Sequence, residues 1–416
     1  MTEPYVIVGI GELVTNDPDR GGTAGVLADA AVAVDGDTIS WVGPAGDLTQ
    51  PWSEVRRVDL GGRAMLPGFV DAHTHLVFAG DRSDEFTRRM AGESYREIAA
   101  AGGGILATVA ATRRADVDEL VGSARRRLQR MLATGTTTIE VKSGYGLDTT
   151  TEVEMLLAAA AAAATLPMTL RRTFLGAHSV PPEFRSRRHD YVDLLVEEML
   201  PAAAPHADYC DVFVEDGVFD VDEARRIFAA AAEHGLGARV HAEQLTHRGG
   251  AALAADIGAA SADHLDHATA DDADRMAEAG TAAVLVPGAS FQLRSPQAPG
   301  PMLWDRGVTV ALATDCNPGT SYVESMPFVV ALGVVQMGLT AEQAVWAATR
   351  GGALSLGLGD RGWVTPGARA DLVALDAPSY RHLAYRPASD LVAGVISGGE
   401  MAAGHALPSD ADEETE

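Results

Sequence analysis

The sequence predicts an α/β fold, a (β/α)8 TIM-type barrel with a small β-sandwich-like domain formed by the N- and C-terminal segments. Three observations predict it. From about residue 67 to 361, apolar β-type runs alternate with helical segments rich in Ala, Arg and Glu, as in a parallel sheet built from β-α units. Eight such runs follow one another. Short β-like segments without a long helix recur at both ends of the chain, where we expect them to pair with each other.

This pattern divides the chain into four parts. Residues 1–66 and 362–407 are predicted to supply the small β-domain, residues 67–361 the barrel, and 408–416 a disordered acidic tail. The predicted strands of the small domain lie at 5–10, 30–34, 38–42, 367–375 and 390–396. The alanine-rich stretch 156–166 predicts a thin helix that packs closely on the barrel wall.

Composition limits the class of protein. Of 416 residues, 47% are apolar and 22% charged, as in globular proteins with a full core. A net charge of −26 argues against a nucleic-acid partner, and the arginine run at 125–127 is expected on a solvated helix face. Cys210 and Cys316 are too few for a disulfide framework, and no targeting segment or membrane-spanning run is visible. We therefore expect a cytoplasmic protein without a membrane partner.

The ends of the eight β-type runs carry a functional signal. They lie near His75, Lys142, His178, Val214, His241, His264, Pro287 and Asp315. Five of these eight residues are His or Asp. Because the active site of a β/α barrel forms at the carboxyl ends of its strands, this placement predicts a catalytic rather than a structural role.

A metal site is predicted at these strand ends. His73 and His75 close an apolar strand predicted at 66–75, and residues two apart on a strand project from the same face. Alone, the pair is explained equally well by ordinary core or surface histidines. His241 and Asp315 end two other runs, and three imidazoles with one carboxylate suit zinc or a similar divalent ion with room for a water.

Five segments carry narrower motifs. They are HTHLVFAGDR at 73–82, KSGYGL at 142–147, LGAH at 175–178, HAEQ at 241–244 and TDCNPGT at 314–320. Each is similar in residues and order to the imidazolonepropionase family of the amidohydrolase superfamily, and the resemblance covers the whole chain. It implies hydrolysis of the cyclic amide of 4-imidazolone-5-propanoate to N-formimidoyl-L-glutamate, in histidine degradation, by hydroxide that the metal activates. It is also compatible with a homodimer.

The resemblance assigns roles to single residues. It makes the following the ligands of one divalent or trivalent metal ion per chain, with zinc the first choice and iron the alternative: His73, His75, His241 and Asp315. It places in the substrate pocket Arg82, Tyr145, His178, Gln244, Asn317, Gly319 and Thr320. The catalytic set is Asp315, His264 and Gln244.

The chemistry of these side chains suits a small-molecule substrate that carries a carboxylate. The Arg82 guanidinium can bind a carboxylate in bidentate geometry, and a surface salt bridge is its plain alternative. The Tyr145 hydroxyl is a donor to the carboxylate or the ring, or else the aromatic ring fills a loop. His178 and His264 are predicted donors that hold the carbonyl oxygen or orient the water, with satisfied core histidines as the alternative.

The turn after Asp315 is expected to help bind an anion. Exposed backbone N–H groups at Asn317, Gly319 and Thr320, together with the small size of glycine, would permit close approach of the substrate. Tyr95 is a weaker candidate for the pocket wall.

One position departs from the family pattern. Some members carry a carboxylate three residues after the strand-five histidine, where this chain has Gln244. Glutamine cannot accept a proton as a base, so general-base work is assigned to Asp315 assisted by His264, and hydrogen bonding to Gln244. Glu243 is the fallback, because the sequence does not determine which of the two neighbouring side chains faces the substrate.

Lys142 is the single lysine beside 31 arginines among the 32 basic residues. This usage indicates that a compact ammonium is needed at the position. Its structural interpretation is a buried ion pair with a carboxylate such as Glu140. The alternative is a carbamylated lysine that bridges two metal ions, as in binuclear relatives.

Two other functions stay open. A mononuclear amidohydrolase acting on a purine or pyrimidine would share every metal ligand, but it would not need Arg82 and Tyr145 for a carboxylate. A non-catalytic barrel that serves as a scaffold is expected to have lost metal ligands, whereas this chain carries all four.

Overall fold

The computed structural model describes residues 3–93, 97 and 102–404. Tyr95 and the acidic segment 408–416 lie outside the described residues, so what the sequence predicts for them stays a prediction. The described part forms a parallel eight-stranded barrel and a mixed eight-stranded sheet built from both ends of the chain. The predicted fold class is confirmed.

Strands β1–β5 and β14–β16 form the mixed sheet, and β6–β13 form the barrel. Their bounds are β1 Tyr5–Leu13, β2 Leu27–Asp35, β3 Thr38–Pro44, β4 Arg56–Asp59, β5 Ala64–Pro67, β6 Phe69–Asp71, β7 Thr136–Lys142, β8 Thr169–Ala177, β9 Tyr209–Val214, β10 Gly237–Ala242, β11 Ser261–His264, β12 Ala282–Leu285, β13 Val310–Leu312, β14 Leu372–Leu375, β15 Val392–Ser397 and β16 Glu400–Gly404. Each predicted barrel-strand end lies within four residues of an observed one.

The barrel strands lie side by side in chain order. The first and last strands meet just beyond their carboxyl ends. There the Asp315 N–H donates to the His73 carbonyl and the His75 N–H donates to the Cys316 carbonyl, both at 3.0 Å. This seam brings the His-x-His segment and the strand-eight aspartate together by backbone hydrogen bonds.

The single strand predicted at 66–75 is wrong, because the chain changes sheet at Gly68. The Gly68 N–H donates to the Asp371 carbonyl in the C-terminal segment, whereas the Phe69 N–H donates to the Gly135 carbonyl beside the barrel. A Cβ on Gly68 would lie 2.3 Å from the Thr137 hydroxyl oxygen. Only glycine therefore lets the backbone cross so closely between the two sheets.

The mixed sheet joins the two ends of the chain, as predicted. Its strand order is β16-β15-β14-β5-β1-β2-β3. β1 pairs with β4 near its start and with β5 near its end, so the sheet forks along β1. Fully buried Ile7, Val32 and Leu372 belong to its apolar core. The domain boundaries at 66/67 and 361/362 stay a prediction.

Helices lie between successive barrel strands along the chain. The α-helices are Ser83–Met90, Ile105–Thr112, Val117–Ala133, Thr149–Ala163, Arg188–Leu194, Leu200–Ala203, Val221–Glu233, Gly250–Asp256, Ala270–Ala279, Pro287–Leu293, Gly300–Asp305, Met326–Val335, Ala341–Trp346, Gly352–Ser355 and His382–Tyr385. Across the described ranges, no helix is long and apolar enough to cross a membrane.

The alanine-rich helix is Thr149–Ala163. It begins after Asp148, whose carboxylate accepts the Thr151 N–H at 2.8 Å and so caps the first turn. Ala158 and Ala162 are fully buried on one face. Their small side chains allow close approach to the barrel, in agreement with the predicted packing role.

The expectation of a solvated arginine run is wrong for Arg127. Its guanidinium carbon lies 3.5 Å from the centre of the Phe78 ring, and Nη1 donates to the carbonyls of Leu76 and Phe78 at 2.8 and 3.3 Å. The side chain is buried because loop carbonyls satisfy its donors while its stem packs on apolar groups. Arg127 thereby links helix Val117–Ala133 to the first barrel loop by hydrogen bonds.

Candidate active site

The carboxyl ends of the barrel strands surround a cavity of about 580 Å³. All residues predicted for the substrate pocket line it: Arg82, Tyr145, His178, Gln244, Asn317, Gly319 and Thr320. His75, His241, His264 and Asp315 reach the same cavity. His73 is fully buried next to them. The structure therefore brings together side chains from six separate parts of the sequence.

Three imidazoles converge at this cavity. Nε2 of His75 lies 3.2 Å from Nε2 of His73 and 3.3 Å from Nε2 of His241. Oδ1 of Asp315 lies 3.6 Å from Nε2 of both His73 and His75. Four potential ligand atoms from three strand ends thus approach a common point.

Two buried carboxylates determine which ring nitrogen points inward. Oδ2 of Asp263 lies 2.7 Å from Nδ1 of His73, and Oδ2 of Asp211 lies 2.9 Å from Nδ1 of His241. Because a carboxylate accepts hydrogen bonds, each Nδ1 carries the proton and each Nε2 presents its lone pair. The sequence analysis missed Asp211 and Asp263. Their only signal was a carboxylate within a predicted barrel strand.

The arrangement fits a divalent metal ion. The Nε2 lone pairs of His73 and His241 lie 3.2 and 3.3 Å from Nε2 of His75, a spacing at which one cation can bind all three nitrogens. Nitrogens bonded at about 2.0–2.1 Å in a tetrahedral zinc site are about 3.3–3.4 Å apart. Burial, reinforced by nearby cationic groups, lowers the pKa of His73, His75 and His241 well below the usual value, so the rings are neutral. Oδ2 of Asp315 is buried without a hydrogen-bond partner in the described part of the chain.

The backbone is strained at three of these strand ends. The φ angle is +51° at Asp315, +77° at His264 and +53° at Glu243. Residues other than glycine rarely adopt this left-handed conformation, which costs on the order of 1–3 kcal/mol and concentrates at functional sites. The surrounding barrel therefore holds these residues in an orientation that local backbone preference disfavours.

His264 lies directly beside the converging imidazoles. Its ring centre is 5.2 Å from that of His73 and 5.1 Å from that of His241. Burial lowers the pKa of His264 to about 4, so the ring is neutral near pH 7. Nδ1 has no hydrogen-bond partner within the described ranges. A neutral ring with an unpaired nitrogen suits a hydrogen bond to a substrate.

His178 was predicted to donate a hydrogen bond to the substrate, and its tautomer in the structure shows that this role is wrong. Nδ1 of His178 donates to the Gly144 carbonyl at 2.9 Å. Burial lowers the pKa of His178 to about 4, so the ring is neutral and Nε2 carries a lone pair. The ring stacks on His75 at 5.0 Å between centres. Toward the cavity, His178 is therefore an acceptor.

Glu152 shapes the loop that carries Tyr145. It is fully buried and accepts the N–H groups of Gly144, Gly146 and Leu147 at 2.7–2.8 Å. Burial raises the pKa of Tyr145 above its usual value, so the hydroxyl keeps its proton. Tyr145 thus faces the cavity as a fixed hydrogen-bond donor.

Arg82 lines the cavity and also makes an ion pair. Its Nε and Nη2 both lie 2.9 Å from Oε2 of Glu85. A Cβ on Gly319 would lie 2.3 Å from Nη1 of Arg82. The guanidinium therefore packs directly against the backbone of Gly319, and the absence of a side chain there makes room for it.

The turn after Asp315 uses its backbone donors internally, which corrects the expectation that they are exposed. Oδ1 of Asn317 accepts the N–H groups of Gly319 and Thr320 at 2.8 and 2.7 Å. Nδ2 of Asn317 donates to the Asp315 carbonyl at 2.7 Å. An asparagine side chain that mimics the backbone in this way stabilises the turn. Its effect on the cavity is to position Gly319 and Thr320 rather than to leave their N–H groups free.

Gln244 lines the cavity and Glu243 does not. Glu243 is fully buried, and its carboxylate accepts the N–H groups of Arg248 and Ala251 at 2.6 and 3.1 Å. These bonds cap the start of the following helix. The structure thus answers the question that the sequence left open, and Gln244 is the residue toward the substrate side.

Glu215 is a cavity residue that the sequence analysis missed. It lies just after β9 and accepts the N–H groups of Leu245 and Thr246 at 2.9 and 3.1 Å. The carboxylate thereby holds the segment next to Gln244 in place. No motif marks Glu215 in the sequence, because its partners are about thirty positions away.

Lys142 forms the buried ion pair that its structural interpretation predicts. Nζ lies 2.8 Å from Oε1 of Glu140, 2.9 Å from Oδ2 of Asp211 and 3.4 Å from Oδ2 of Asp263. A carbamylated lysine would be an anion, which three carboxylates this close would repel. The carbamylated alternative is therefore wrong.

The chain is similar in sequence to known proteins. Residues 64–402 match the amidohydrolase family. The chain is 51% identical over 392 residues to an imidazolonepropionase of Salinispora arenicola, a match that covers 94% of this chain and 96% of that protein. It is 50% identical over 397 residues to an imidazolonepropionase of Streptomyces coelicolor, covering 95% and 98%. The chain belongs to the imidazolonepropionase family.

Solved structures show that the imidazolonepropionase-family chain shares its fold with more distant hydrolases. An adenosine deaminase of Xanthomonas campestris with bound zinc has a TM-score of 0.73 and 20% identity, and the match covers 98% of this chain and 94% of that one. At this identity the likeness establishes the fold alone. The cluster of His and Asp side chains described above fits a divalent metal ion.

Proposed function

We propose that the protein hydrolyses the cyclic amide of 4-imidazolone-5-propanoate to N-formimidoyl-L-glutamate, a step of histidine degradation. The observation that carries the proposal is one cavity that joins a cluster of three imidazoles and a carboxylate to the guanidinium of Arg82. The near-complete alignment with imidazolonepropionases at about half identity supports the same reaction. It also disfavours both a nucleobase aminohydrolase and a scaffold.

We propose that His73, His75, His241 and Asp315 hold one zinc ion, with iron as the alternative. Three neutral imidazoles and a carboxylate are ligands that both metals accept. When bound, such an ion lowers the pKa of a water and polarises a carbonyl group. The zinc reported in the structurally similar adenosine deaminase supports this choice only through the shared fold.

Arg82, Tyr145 and His178 are proposed to orient the substrate. The guanidinium of Arg82 binds the propanoate carboxylate. Its Nε and Nη2 are paired with Glu85, so Nη1 is the atom left for this contact. Tyr145 supplies a neutral hydroxyl donor. His178, whose Nδ1 is committed to the Gly144 carbonyl, accepts a ring N–H through Nε2. Together these groups would distinguish a ring bearing N–H and carboxylate groups from other cyclic amides.

Asp315 is proposed to move the proton in the reaction, assisted by His264. Asp315 accepts a proton from the attacking water, whose oxygen forms a bond to the ring carbonyl carbon. The same proton passes to the ring nitrogen as its bond to that carbon breaks, so the water is added across one C–N bond. His264 is neutral and lies beside the imidazole cluster, where its ring can donate a hydrogen bond to the developing oxyanion. Gln244 contributes hydrogen bonds only, because an amide does not titrate.

The test combines metal content with turnover. We expect about one metal ion per chain and loss of the imidazolone absorbance when freshly prepared 4-imidazolone-5-propanoate is added. Asp315→Asn is expected to lower kcat by at least about 100-fold, the usual loss for an acid–base group. Arg82→Ala is the matched variant, since it should raise KM for this acid and leave the metal content unchanged. A protein that binds metal but deaminates adenine or cytosine instead would contradict the proposal.

A homodimer and a cytoplasmic location remain predictions. Light scattering of the purified protein tests the first, and cell fractionation tests the second.

A further inference from the structure

Behind the histidines lies a cluster of five charged side chains, all fully buried. Lys142 on β7 contacts Asp211 on β9 at 2.9 Å and Asp263 on β11 at 3.4 Å. Arg239 on β10 is the second cation and lies 3.4 Å from Asp263. Glu140 completes the cluster, 2.8 Å from Lys142 and 3.9 Å from Arg239.

One ammonium group is in contact with the supports of two different imidazoles. Oδ2 of Asp211 lies 2.9 Å from Nζ of Lys142 and 2.9 Å from Nδ1 of His241. Oδ2 of Asp263 lies 3.4 Å from the same Nζ and 2.7 Å from Nδ1 of His73. Lys142 is therefore within ion-pair distance of the carboxylates that contact both rings.

We propose that Lys142 is a positioning residue of the metal centre. Through Asp211 it holds the imidazole of His241. Through Asp263 it holds the imidazole of His73. The two Nε2 lone pairs then converge before an ion binds, which removes part of the ordering cost of binding. The inference rests on the proposed metal-dependent function and deepens it.

The geometry explains why this position carries the only lysine. An ammonium offers three donors around one point, which matches the three surrounding carboxylates, whereas a guanidinium is planar and larger. Arg239 shares only the support of Asp263, to whose Oδ2 its Nη2 donates at 3.4 Å, while Nη1 and Nη2 also donate to the carbonyls of Ser355 and Ala72 at 3.0 and 2.9 Å. An arginine at position 142 would have to displace one of the carboxylates.

The experiment measures zinc affinity of the full-length protein by competition with a chromogenic chelator. Lys142→Met is expected to weaken zinc binding by about 10- to 100-fold, the usual effect of losing an outer support of a metal ligand. The visible spectrum of the cobalt-loaded protein should change as well, because the ring orientations change. In an Asp211→Asn background, Lys142→Met should weaken binding by a smaller factor, since part of its effect passes through Asp211.

The matched control is Arg361→Met. Arg361 is also buried and paired, with Nη2 2.9 Å from Asp360, but it contacts Thr169 at the start of β8, the end of the barrel away from the cavity. This variant should lose stability and keep its zinc affinity. If Lys142→Met fails to fold, Lys142→Met/Glu140→Gln replaces it, because the double change preserves the net charge of the cluster.

Zinc affinity within twofold of the wild-type value in either Lys142 variant would overturn the proposal. It would also be overturned if neither variant folds while Arg361→Met does, because Lys142 would then serve barrel stability. Different results would contradict the proposed function and the positioning role of Lys142. A wild-type protein that binds no metal contradicts the proposed function, whereas tight binding in wild type and variant alike contradicts only the positioning role.

Discussion

Replacing Gly319 by alanine should disturb substrate binding without disturbing the fold. The added Cβ would lie 2.3 Å from Nη1 and 3.0 Å from Cζ of Arg82, so the guanidinium must move. The φ of Gly319 is not in the left-handed region, so alanine adopts the same backbone. Because the displaced group is the end of a flexible side chain and alanine lowers the entropy of the unfolded chain, we expect stability to change by less than about 1 kcal/mol.

The effect on binding follows from the contact that is lost. A hydrogen bond to a charged group contributes about 1.5–3 kcal/mol, so displacement of the guanidinium should raise KM about 10- to 150-fold. The zinc content and kcat should stay close to wild type, because the three atoms nearest to the added Cβ all belong to Arg82. Steady-state kinetics at the imidazolone absorbance, with thermal unfolding and metal analysis, measure all four quantities.

A companion variant and a control make the test specific. Gly319→Ala combined with Arg82→Ala should raise KM no further than Arg82→Ala alone, because both act on one contact. Gly46→Ala, at an exposed glycine with nothing within 4 Å of the added Cβ, should behave like wild type. An unchanged KM in Gly319→Ala, alongside a raised KM in Arg82→Ala, would refute the reasoning.

Three further predictions follow from the site. Gln244→Leu should lower kcat/KM by about tenfold or less, the loss of a neutral hydrogen bond, and leave the pH profile unchanged, whereas a shifted profile would give Gln244 an acid–base role. Chelation of the metal should abolish turnover and lower Tm. An ion at a thousand times its Kd stabilises the folded state by about 4 kcal/mol. Calorimetry before chelation, after it and after adding zinc back measures the change in Tm. Burial lowers the pKa of His264 in the folded protein to about 4, so the unfolded chain binds the proton more tightly. The free energy of unfolding of the metal-free protein should therefore fall by up to about 3 kcal/mol between about pH 6.5 and pH 4. Urea unfolding of wild type and His264→Gln at pH 7 and 5 should differ in this slope, and parallel curves would contradict it.

Local patterns in the sequence predicted the features that depend on neighbouring residues. The His-x-His pair and the residues at strand ends follow from strand periodicity and from the order of β-α units. Gln244 was given no role as a base, because the chemistry of an amide does not depend on its surroundings, and this stays a prediction. The solvated position of Arg127 was predicted wrongly, since the loop carbonyls that bury it lie about fifty positions earlier.

The sequence by itself determined the fold class, the family and the set of ligand-type side chains, because these depend on residue identity and spacing. Only the tertiary structure decided how those side chains are held. His73 meets Asp263 across 190 positions, and the tautomer that directs Nε2 inward exists only through that contact. The space that Gly319 leaves for Arg82 also depends on contacts between distant parts of the chain. So does the difference between Glu243, which binds backbone N–H groups, and Gln244, which lines the cavity. Each of these depends on atoms that the barrel places within hydrogen-bond distance, and no local pattern records which distant strands become neighbours.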